Sequence, residues 1–333
     1  MTNRERLNLV LNNKMPADRL PIIEWATWWD QTISRWRQDG LSGNLHGEAL
    51  FNHLGLDVHR QFWINGKTAD CPAEPSNGAG ILETEQEYDR LCDKLYSTDK
   101  VENLLPELQS IKHSHQSGDI AVWLTFEGFF WHPRTLFGIE NHLYSFYDNP
   151  DLYHKMCEDL VTWQIKSLEI FCSVLTPDFM TLAEDMSYNH GPMLSKDAFD
   201  EFCAPYYRRL VSELKKRGIK IIVDTDGDVT SMIPWLKSVG VDGVLPLERR
   251  AGVDVAEIKK QHPDFLLVGA FDKTIMHKGE AAMRAEFERI LPTMKMGGFI
   301  PSVDHQTPPD VSLENYRLYV KLMNEYCAKA CKA

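Results

Sequence analysis

The sequence predicts a single α/β domain over residues 1–333, a (β/α)8 barrel of the TIM type. Short apolar runs alternate with helical patterns from about residue 118 onward. Such alternation calls for a parallel sheet with right-handed crossovers. Polar residues follow almost every apolar run, and no glycine-rich phosphate turn follows the first one. Both observations favour a closed barrel over an open doubly wound sheet.

The predicted elements follow one another along the chain as seven or eight strand and helix units. A helix at about 3–13 precedes a first strand at 19–26, RLPIIEWA. Apolar runs of strand length and amphipathic runs of helix length define the units that follow. They are strand 119–127 with helix 149–175, strand 177–185 with helix 195–218, and four strand and helix pairs whose strands read IKIIVD, VDGVLPL, FLLVGAF and GFIPSVD.

Residues 40–117 fit this rhythm poorly. The segments VHRQFWING and GAGILETEQEYDRL resemble strand pieces around a stretch at 72–80 that is rich in Pro, Gly, Ser and Asn. Such residues mark turns and loops more than strands or helices. We therefore expect an excursion at about 40–117 that covers part of the barrel mouth.

Composition limits the possible partners and the compartment. The 333 residues are 43% hydrophobic, and no window approaches the roughly 18 apolar residues of a membrane span. We therefore expect a cytoplasmic protein with no membrane segment and no secretory signal. The formal charge of -12 disfavours nucleic acid as a partner, because binding phosphates takes clustered Lys and Arg. Seven cysteines without a C-x-x-C pair favour reduced thiols.

The residues that follow the strands of a barrel converge on one face, where the chemistry lies. Here they are mostly carboxylates. Carboxylates that share a site raise one another's pKa values, so a bound cation or a cationic substrate would relieve the repulsion. The residues at this face are predicted to be Glu24 and Trp25, Glu127, Glu184 and Asp185, Asp224 and Asp226, Glu248, Asp272, and Asp304 with His305.

The stretch KIIVDTDGDVTSMI carries three aspartates, Asp224, Asp226 and Asp228, around a glycine. A calcium loop fails on spacing, because Gly227 is fourth rather than sixth from Asp224 and position twelve is Trp235. The D-x-D-G pattern also resembles the nucleophile loop of haloacid dehalogenase-like phosphatases, which normally opens the chain. A third interpretation makes Asp224 and Asp226 metal ligands or substrate-binding carboxylates. For Asp228 a turn and helix N-cap is favoured.

Two other strand ends carry candidate groups. His305 precedes a Thr-Pro-Pro turn that keeps the backbone extended. It is either a metal or catalytic residue or a histidine with an ordinary hydrogen bond. Glu184 and Asp185 follow an apolar strand and precede an irregular polar loop that contains Tyr188. We expect at least one of these two carboxylates to face the site.

Four segments in the second half of the chain resemble the uroporphyrinogen decarboxylase superfamily. They are LAEDMSYNHGPMLSKDAFDEFCAPYYRRL, VDTDGDVTSMIPWLKSVGVDGVLPLE, VGAFDK and GGFIPSVDHQTPPDVSLENY. That superfamily includes cobalamin-dependent methyltransferases that act on coenzyme M and on methylated one-carbon substrates. Its members are single-domain barrels, so the resemblance implies the same fold.

The region after the first predicted strand separates the branches of this superfamily. True uroporphyrinogen decarboxylases carry an arginine-rich Met-Arg-Gln-Ala-Gly-Arg segment there, which holds the many carboxylates of the substrate. This chain instead has IIEWATWWDQT, with Glu24, Trp25, Trp28 and Trp29 and no arginine. An acidic mouth lined by tryptophans would repel an octa-anionic tetrapyrrole. The resemblance therefore implies the methyltransferase branch.

The methyltransferases hold zinc with a His-x-Cys pair and a later cysteine. Residue by residue, the pair falls on Asp224 and Asp226, and the later cysteine falls on or next to His305. This harder set would hold zinc less tightly and would accept other divalent ions. The implied reaction moves a methyl group from a methoxy or methylamino substrate to cobalamin on a separate corrinoid protein. The catalytic candidates are Glu184, Asp185 and Glu248, and Glu184 or Asp185 could be a fourth ligand.

The substrate and the alternatives to this function stay open at this stage. The tryptophans are either packing residues or a binding surface for an aromatic ether or a quaternary ammonium group. A carboxy-lyase with Asp and His proton donors and a non-catalytic barrel that binds a corrinoid or a cation are the alternatives, and a homodimer is possible. The predicted substrate-binding residues are Glu24, Trp25, Trp28, Trp29, Glu127 and Tyr188.

Overall fold

The computed structural model describes residues 1–332, and its main feature is a curled parallel sheet of seven strands. Every neighbouring pair in this sheet is parallel, in the order β1-β2-β3-β6-β7-β8-β9, and β4 pairs with β5 as a separate antiparallel ribbon. The strands are β1 His59–Trp63, β2 Ala121–Glu127, β3 Phe179–Ala183, β4 Ser187–Tyr188, β5 Gly191–Pro192, β6 Lys220–Asp224, β7 Gly243–Leu245, β8 Leu266–Phe271 and β9 Phe299–Val303.

Helices connect the strands of this sheet. Short 3-10 turns at Thr230–Met232, Arg249–Ala251 and Lys273–Lys278 follow β6, β7 and β8, and a π-helical turn at Phe199–Cys203 joins α10 to α11. The α-helices are α1 Asn3–Leu11, α2 Asp30–Gln38, α3 Gly47–Leu54, α4 Glu85–Leu95, α5 Asp99–Asn103, α6 Leu105–Ser117, α7 Trp131–Phe137, α8 Ile139–Asp148, α9 Pro150–Cys172, α10 Lys196–Ala198, α11 Ala204–Lys216, α12 Ile233–Ser238, α13 Val255–Gln261, α14 Glu280–Met294 and α15 Leu313–Cys331.

The predicted alternation from residue 118 onward is confirmed. All seven residues of β2, AVWLTFE, are buried, as are all residues of β3, β8 and β9. A parallel strand covered on both faces reads as a continuous apolar run, which is why these strands could be recognised. Their carboxyl ends therefore lie together at one edge of the sheet.

The predicted first strand at 19–26 is not a regular strand. The segment runs between β9 and the start of β1: Asp57 donates its N–H to the carbonyl of Ile22 (2.8 Å), and the Trp25 indole donates to the carbonyl of Val303 (2.6 Å). Pro21 has no N–H for a ladder, and the N–H of Ile22 donates to the Asp57 carboxylate instead. An eighth regular strand is absent from residues 1–332, so the (β/α)8 prediction holds only as a curled parallel sheet with helices.

The predicted excursion at 40–117 is partly wrong. Its segment VHRQFWING contains β1, which pairs with β2 from His59 opposite Ala121 to Trp63 opposite Thr125. The second suspected strand piece forms only a bridge between Ala79 and Gly138 before α4 begins. The half-exposed Arg60 and Gln61 interrupt the apolar run of β1, which hid this strand from the sequence.

Two other expectations concern the chain as a whole. Among residues 1–332, no helix is both long enough and apolar enough to cross a bilayer. All seven cysteines are free thiols, as their odd number and spacing predicted.

Glu24 joins the 19–26 segment to the sheet. Its side chain is 1% exposed and accepts hydrogen bonds from the hydroxyls of Ser302 in β9 (2.7 Å) and Tyr316 in α15 (2.8 Å). Burial raises the pKa of Glu24 to about 7, because the ionised form loses hydration that two hydroxyl donors only partly replace.

We predict that Glu24→Gln makes folding stability less dependent on pH. The raised pKa means that Glu24 stabilises the fold fully below its ordinary value of 4.5, and this contribution is lost as the pH rises through about 7. Urea unfolding at several pH values measures this effect. Across this pH range the free energy of unfolding of the variant, relative to that of the wild type, should rise by on the order of 3 kcal/mol. The exposed Glu314→Gln is the control and should follow the wild type. Parallel curves for Glu24→Gln and wild type would contradict the prediction.

Candidate functional site

A cavity of about 300 Å³ opens at the carboxyl ends of the strands. Several sheet strands and the 25–27 segment contribute to its wall, which combines aromatic side chains with carboxylates and one imidazole. This is the face at which a barrel of parallel strands collects its functional residues. The lining residues are Trp25, Ala26, Thr27, Gln61, Trp63, Trp131, Ala183, Glu184, Asp185, Asp224, Asp226, His305 and Gln306.

Asp226, Glu248 and His305 form the clearest potential metal site. One ligand atom from each residue lies within 4.8 Å of the others, and all three side chains are half-buried. The Nε2 atom of His305 lies 3.6 Å from an oxygen of Asp226, which is beyond hydrogen-bond distance. We call these three residues the DEH cluster. In this cluster Glu248 has the ligand position that the sequence analysis assigned to Asp224.

A tight turn positions Asp226. Gly227 has φ +79°, and a Cβ there would overlap the backbone of Tyr188. Its N–H donates to the carboxylate of Glu248 (2.9 Å), so Glu248 both supports the turn and faces Asp226. Asp228 donates its N–H to the carbonyl of Tyr188 and accepts the N–H of Thr230 (3.0 Å). Asp228 therefore has the turn role that was predicted for it, whereas the N-cap position of the following 3-10 turn is Val229.

Asp224 and Asp185 complete an acidic wall. Burial, together with the negative charge of Asp226, raises the pKa of both carboxyls, and that of Asp224 goes well above its usual range. No group among residues 1–332 donates a hydrogen bond to the Asp224 side chain. Asp185 is bound by the guanidinium of Arg134 (3.1 Å), which lowers its pKa in part. The carboxylate crowding expected from the sequence is therefore present.

Glu184 is oriented by backbone groups. Its fully buried carboxylate accepts the N–H groups of Phe129 (2.9 Å), Phe130 (2.7 Å) and Trp131 (3.2 Å), and the hydroxyl of Tyr207. These N–H groups belong to the start of α7, where a negative charge is favourable. Burial nevertheless raises the pKa of Glu184 to about 7. Both oxygens are engaged, so Glu184 holds the 128–131 turn in place.

Five of the predicted substrate-binding residues lie outside the cavity lining. Glu24 is buried against β9, and Trp28 packs on Trp36 and Tyr316. Glu127 accepts a hydrogen bond from the buried His132 (2.9 Å). Trp29 and Tyr188 are 41% and 49% exposed. Only Trp25 of that group lines the cavity.

Sequence reasoning missed Arg134. Its guanidinium lies 5.0 Å from the ring centre of Trp131 and also binds Asp185. Trp131 and Arg134 are three residues apart in α7, a spacing that brings side chains together on one helix face. This spacing was the available signal, but it had weight only once α7 was known to begin beside the cavity.

Part of the chain matches a known protein family in sequence. Residues 128–326 match the sequence model of the family described as uroporphyrinogen decarboxylase (URO-D). A uroporphyrinogen decarboxylase from Myxococcus xanthus is 24% identical over 184 residues, and one from Pseudomonas aeruginosa is 25% identical over 191 residues. These alignments cover 54% and 55% of this chain but 49% and 51% of the relatives. The chain thus spans about half the length of the curated relatives it matches.

Among solved structures, a methyltransferase from Methanosarcina mazei is similar over 98% of this chain and 99% of its own, with a TM-score of 0.71 and 16% identity. A putative vitamin-B12 independent methionine synthase from Listeria monocytogenes is similar over 93% of this chain and 98% of its own, with a TM-score of 0.50 and 13% identity. At these identities the likeness concerns the fold alone.

The contact between Gly128 and Glu184 gives a stability prediction. A Cβ at position 128 would overlap the buried carboxyl of Glu184, so Gly128→Ala should cost about 1–3 kcal/mol of unfolding free energy. Glu184→Ala should cost about 3 kcal/mol or more, because it leaves buried N–H groups unpaired. In the double variant the overlap disappears, so its cost should be clearly less than the sum.

Denaturant unfolding of the four proteins measures this coupling. Gly43→Ala is the control, because a Cβ there meets nothing within 4 Å. Additive costs in the double variant would show that Gly128 is not required by the Glu184 contact.

Proposed function

This chain belongs to the uroporphyrinogen decarboxylase family, and we propose that it is a metal-assisted methyltransferase. It would move a methyl group from a small methoxy or methylamino substrate to cobalamin that is carried on a separate corrinoid protein. The observation that supports this most is the DEH cluster, of which Asp226 and His305 line a cavity with aromatic sides. The likeness to the Methanosarcina mazei methyltransferase agrees with the proposal at the level of the fold.

The DEH cluster suits a divalent ion. Two carboxylates and one imidazole are borderline to hard donors, which suit zinc and also accept other divalent metals. The facing oxygen of Asp226 and nitrogen of His305 are too far apart to satisfy each other. The Nδ1 atom of His305 is buried and has no hydrogen-bond partner among residues 1–332, which leaves Nε2 as the atom that faces the other two residues. When bound, the ion would act as a Lewis acid on the ether oxygen or amine nitrogen of the donor.

The protein groups around the cluster provide the rest of the chemistry. An ether oxygen that loses its methyl group must gain a proton, whereas a quaternary nitrogen that loses one becomes a neutral amine and needs none. Asp224 would be placed to give a proton to the ether oxygen, because it lines the cavity and no protein donor among residues 1–332 occupies its oxygens. Asp185 is held by Arg134 beside it. Glu184 takes the positioning role, since its oxygens are engaged by the 128–131 turn.

The aromatic wall would hold the methylated group. Trp25, Trp63 and Trp131 line the cavity, and Trp63 is 55% exposed. Indole rings pack on aromatic ethers and attract quaternary ammonium groups by cation–π contact. The rings of Trp25 and His305 also contact each other edge to face, with 6.4 Å between their centres, and this contact orients the imidazole. The methylated group would thus lie between the indoles and the DEH cluster.

Two other functions make different predictions from the same site. A carboxy-lyase would release carbon dioxide from its substrate and need no corrinoid acceptor. A non-catalytic barrel would bind a corrinoid or a cation without turnover. Assays with a methylated donor and a reduced corrinoid acceptor, followed by measurement of the demethylated product and of carbon dioxide, separate the three.

We predict that Asp226→Asn loses bound metal and methyl transfer together. Removal of a charged ligand from the DEH cluster should weaken metal binding by more than about 100-fold, since even indirect partners of metal ligands contribute 10- to 100-fold. Elemental analysis of purified protein and the corrinoid methylation assay measure the two effects. Asp228→Asn is the matched control, because Asp228 lies two residues away. An asparagine side chain can also accept the hydrogen bond that Asp228 accepts from the N–H of Thr230.

Two results would contradict the proposal. One is methyl transfer by Asp226→Asn at the wild-type rate without metal. The other is a wild type that binds no divalent metal when metal is supplied.

A further inference from the structure

A second cavity of about 500 Å³ adjoins the first. The loop that follows β1 and the helix α7 form its wall, and Trp131 lines both cavities. The charged side chains at this wall are Lys67, Arg134 and Glu74. We call this space the basic cavity. It contrasts with the first cavity, whose ionisable lining residues are three aspartates, Glu184 and His305.

Lys67 has no counter-ion in contact. Its half-buried ammonium donates a hydrogen bond to the hydroxyl of Thr135 (2.9 Å), and no carboxylate of residues 1–332 lies within 4.0 Å of it. The buried Glu127 lies near enough for the charge of Lys67 to lower its pKa, but it is not in contact with the ammonium and accepts a hydrogen bond from His132. A partly buried ammonium without a paired anion costs free energy, which an incoming anion would recover.

Arg134 also has donors to spare. One guanidinium nitrogen, Nη1, binds Asp185, and the cation lies over the Trp131 ring. The Nε and Nη2 groups have no hydrogen-bond partner among residues 1–332. A guanidinium presents five N–H donors in a fixed plane that matches a carboxylate. The stacking on Trp131 fixes the orientation of this plane.

The acidic residue of the basic cavity does not cancel these two cations. The carboxylate of Glu74 lies on an exposed loop and accepts the N–H of Gly78 (3.2 Å). Among the lining residues, two cations lie against this one exposed carboxylate in a chain of formal charge -12, and Asp185, which pairs with Arg134, lines the first cavity. A local reversal of sign at a partly buried wall is the electrostatic signature expected of an anion site.

We propose that the methyl donor carries a small anionic group, such as a carboxylate, which Lys67 and Arg134 bind in the basic cavity. The identification of the ligand as a methyl donor rests on the proposed function, whereas the anion site rests only on the geometry above. Trp131 borders both spaces, so a donor that lies along this indole has its anionic end at Lys67 and its methyl end at the DEH cluster. Methoxybenzoates and carboxylated quaternary amines share this chemistry.

Calorimetric titration of the full chain with matched probes tests the proposal without any turnover. One pair is para-methoxybenzoate and methoxybenzene, and the other is glycine betaine and tetramethylammonium. In at least one of the two pairs, the acid should bind at least about tenfold more tightly than its partner without the carboxylate. Lys67→Met and Arg134→Met should each weaken the acid by about 10- to 100-fold. Lys67→Met should leave methoxybenzene unchanged, whereas Arg134→Met also releases Asp185 and is therefore scored on the acid alone. Lys100→Met is the control: it removes the same charge from an exposed side chain that contacts the same loop through Asn65.

The outcomes separate this proposal from the proposed function. If the acids bind but no methyl transfer occurs, the anion site stands and the methyltransferase proposal fails. If each acid and its partner bind equally, or if Lys67→Met and Arg134→Met bind the acids like the wild type, the anion site is overturned. Weaker binding of cobalamin alone in these variants would also overturn it, because the site would then belong to the acceptor.

Discussion

The hydrogen bonds between the Glu184 carboxylate and the start of α7 determine the shape of the two cavities. Three backbone N–H groups and the Tyr207 hydroxyl fix this carboxylate at the end of β3, and Gly128 leaves the space it needs. The contact sets where α7 begins, and with it the positions of Trp131 and Arg134. One wall of each cavity therefore depends on a carboxylate that is itself fully buried. This explains why a group with a raised pKa is kept there: its hydrogen bonds orient the helix.

Repulsion among carboxylates is the second constraint on the site. Asp185, Asp224 and Asp226 lie close enough to raise the pKa values of Asp185 and Asp224, and burial adds to the effect. Without a cation such a wall relaxes by taking up protons, whereas a divalent ion would favour the ionised ligands. Glu248 avoids part of this cost, because the N–H of Gly227 already stabilises its negative charge. The turn that presents Asp226 thus also prepares Glu248 as its neighbour.

The sequence predicted the fold better than it predicted the partners within the site. Continuous apolar runs identified β2, β3, β6, β8 and β9, and the convergence of parallel strand ends placed Asp224, Asp226 and His305 in one cavity. The role of a carboxylate, however, depends on partners that are remote in sequence. Glu24 meets Ser302 at a separation of 278 residues, and Glu184 meets Phe129 at 55 residues. No local pattern reveals such contacts, so carboxylates that make buried structural contacts and carboxylates that line the cavity looked alike. The predictions for residues 19–26 and for β1 were wrong for a related reason. In the 19–26 segment the Asp57 carboxylate replaces a backbone partner of Ile22, and in β1 Arg60 interrupts the apolar run.

The two cavities that Trp131 borders differ in the charge of their lining side chains, which are mostly acidic in one and mostly basic in the other. This difference would orient a bound ligand. An anionic group is repelled by the aspartates and attracted by Lys67 and Arg134, while a methylammonium group experiences the reverse. The Arg134 guanidinium takes part in both effects, because it holds Asp185 with one nitrogen and keeps its other donors for the basic cavity. A neutral methyl ether gains nothing from this field and would rely on indole packing alone. A ligand with an anionic end would instead be held in one of its two possible directions, with the methyl group toward the DEH cluster, before any bond is broken.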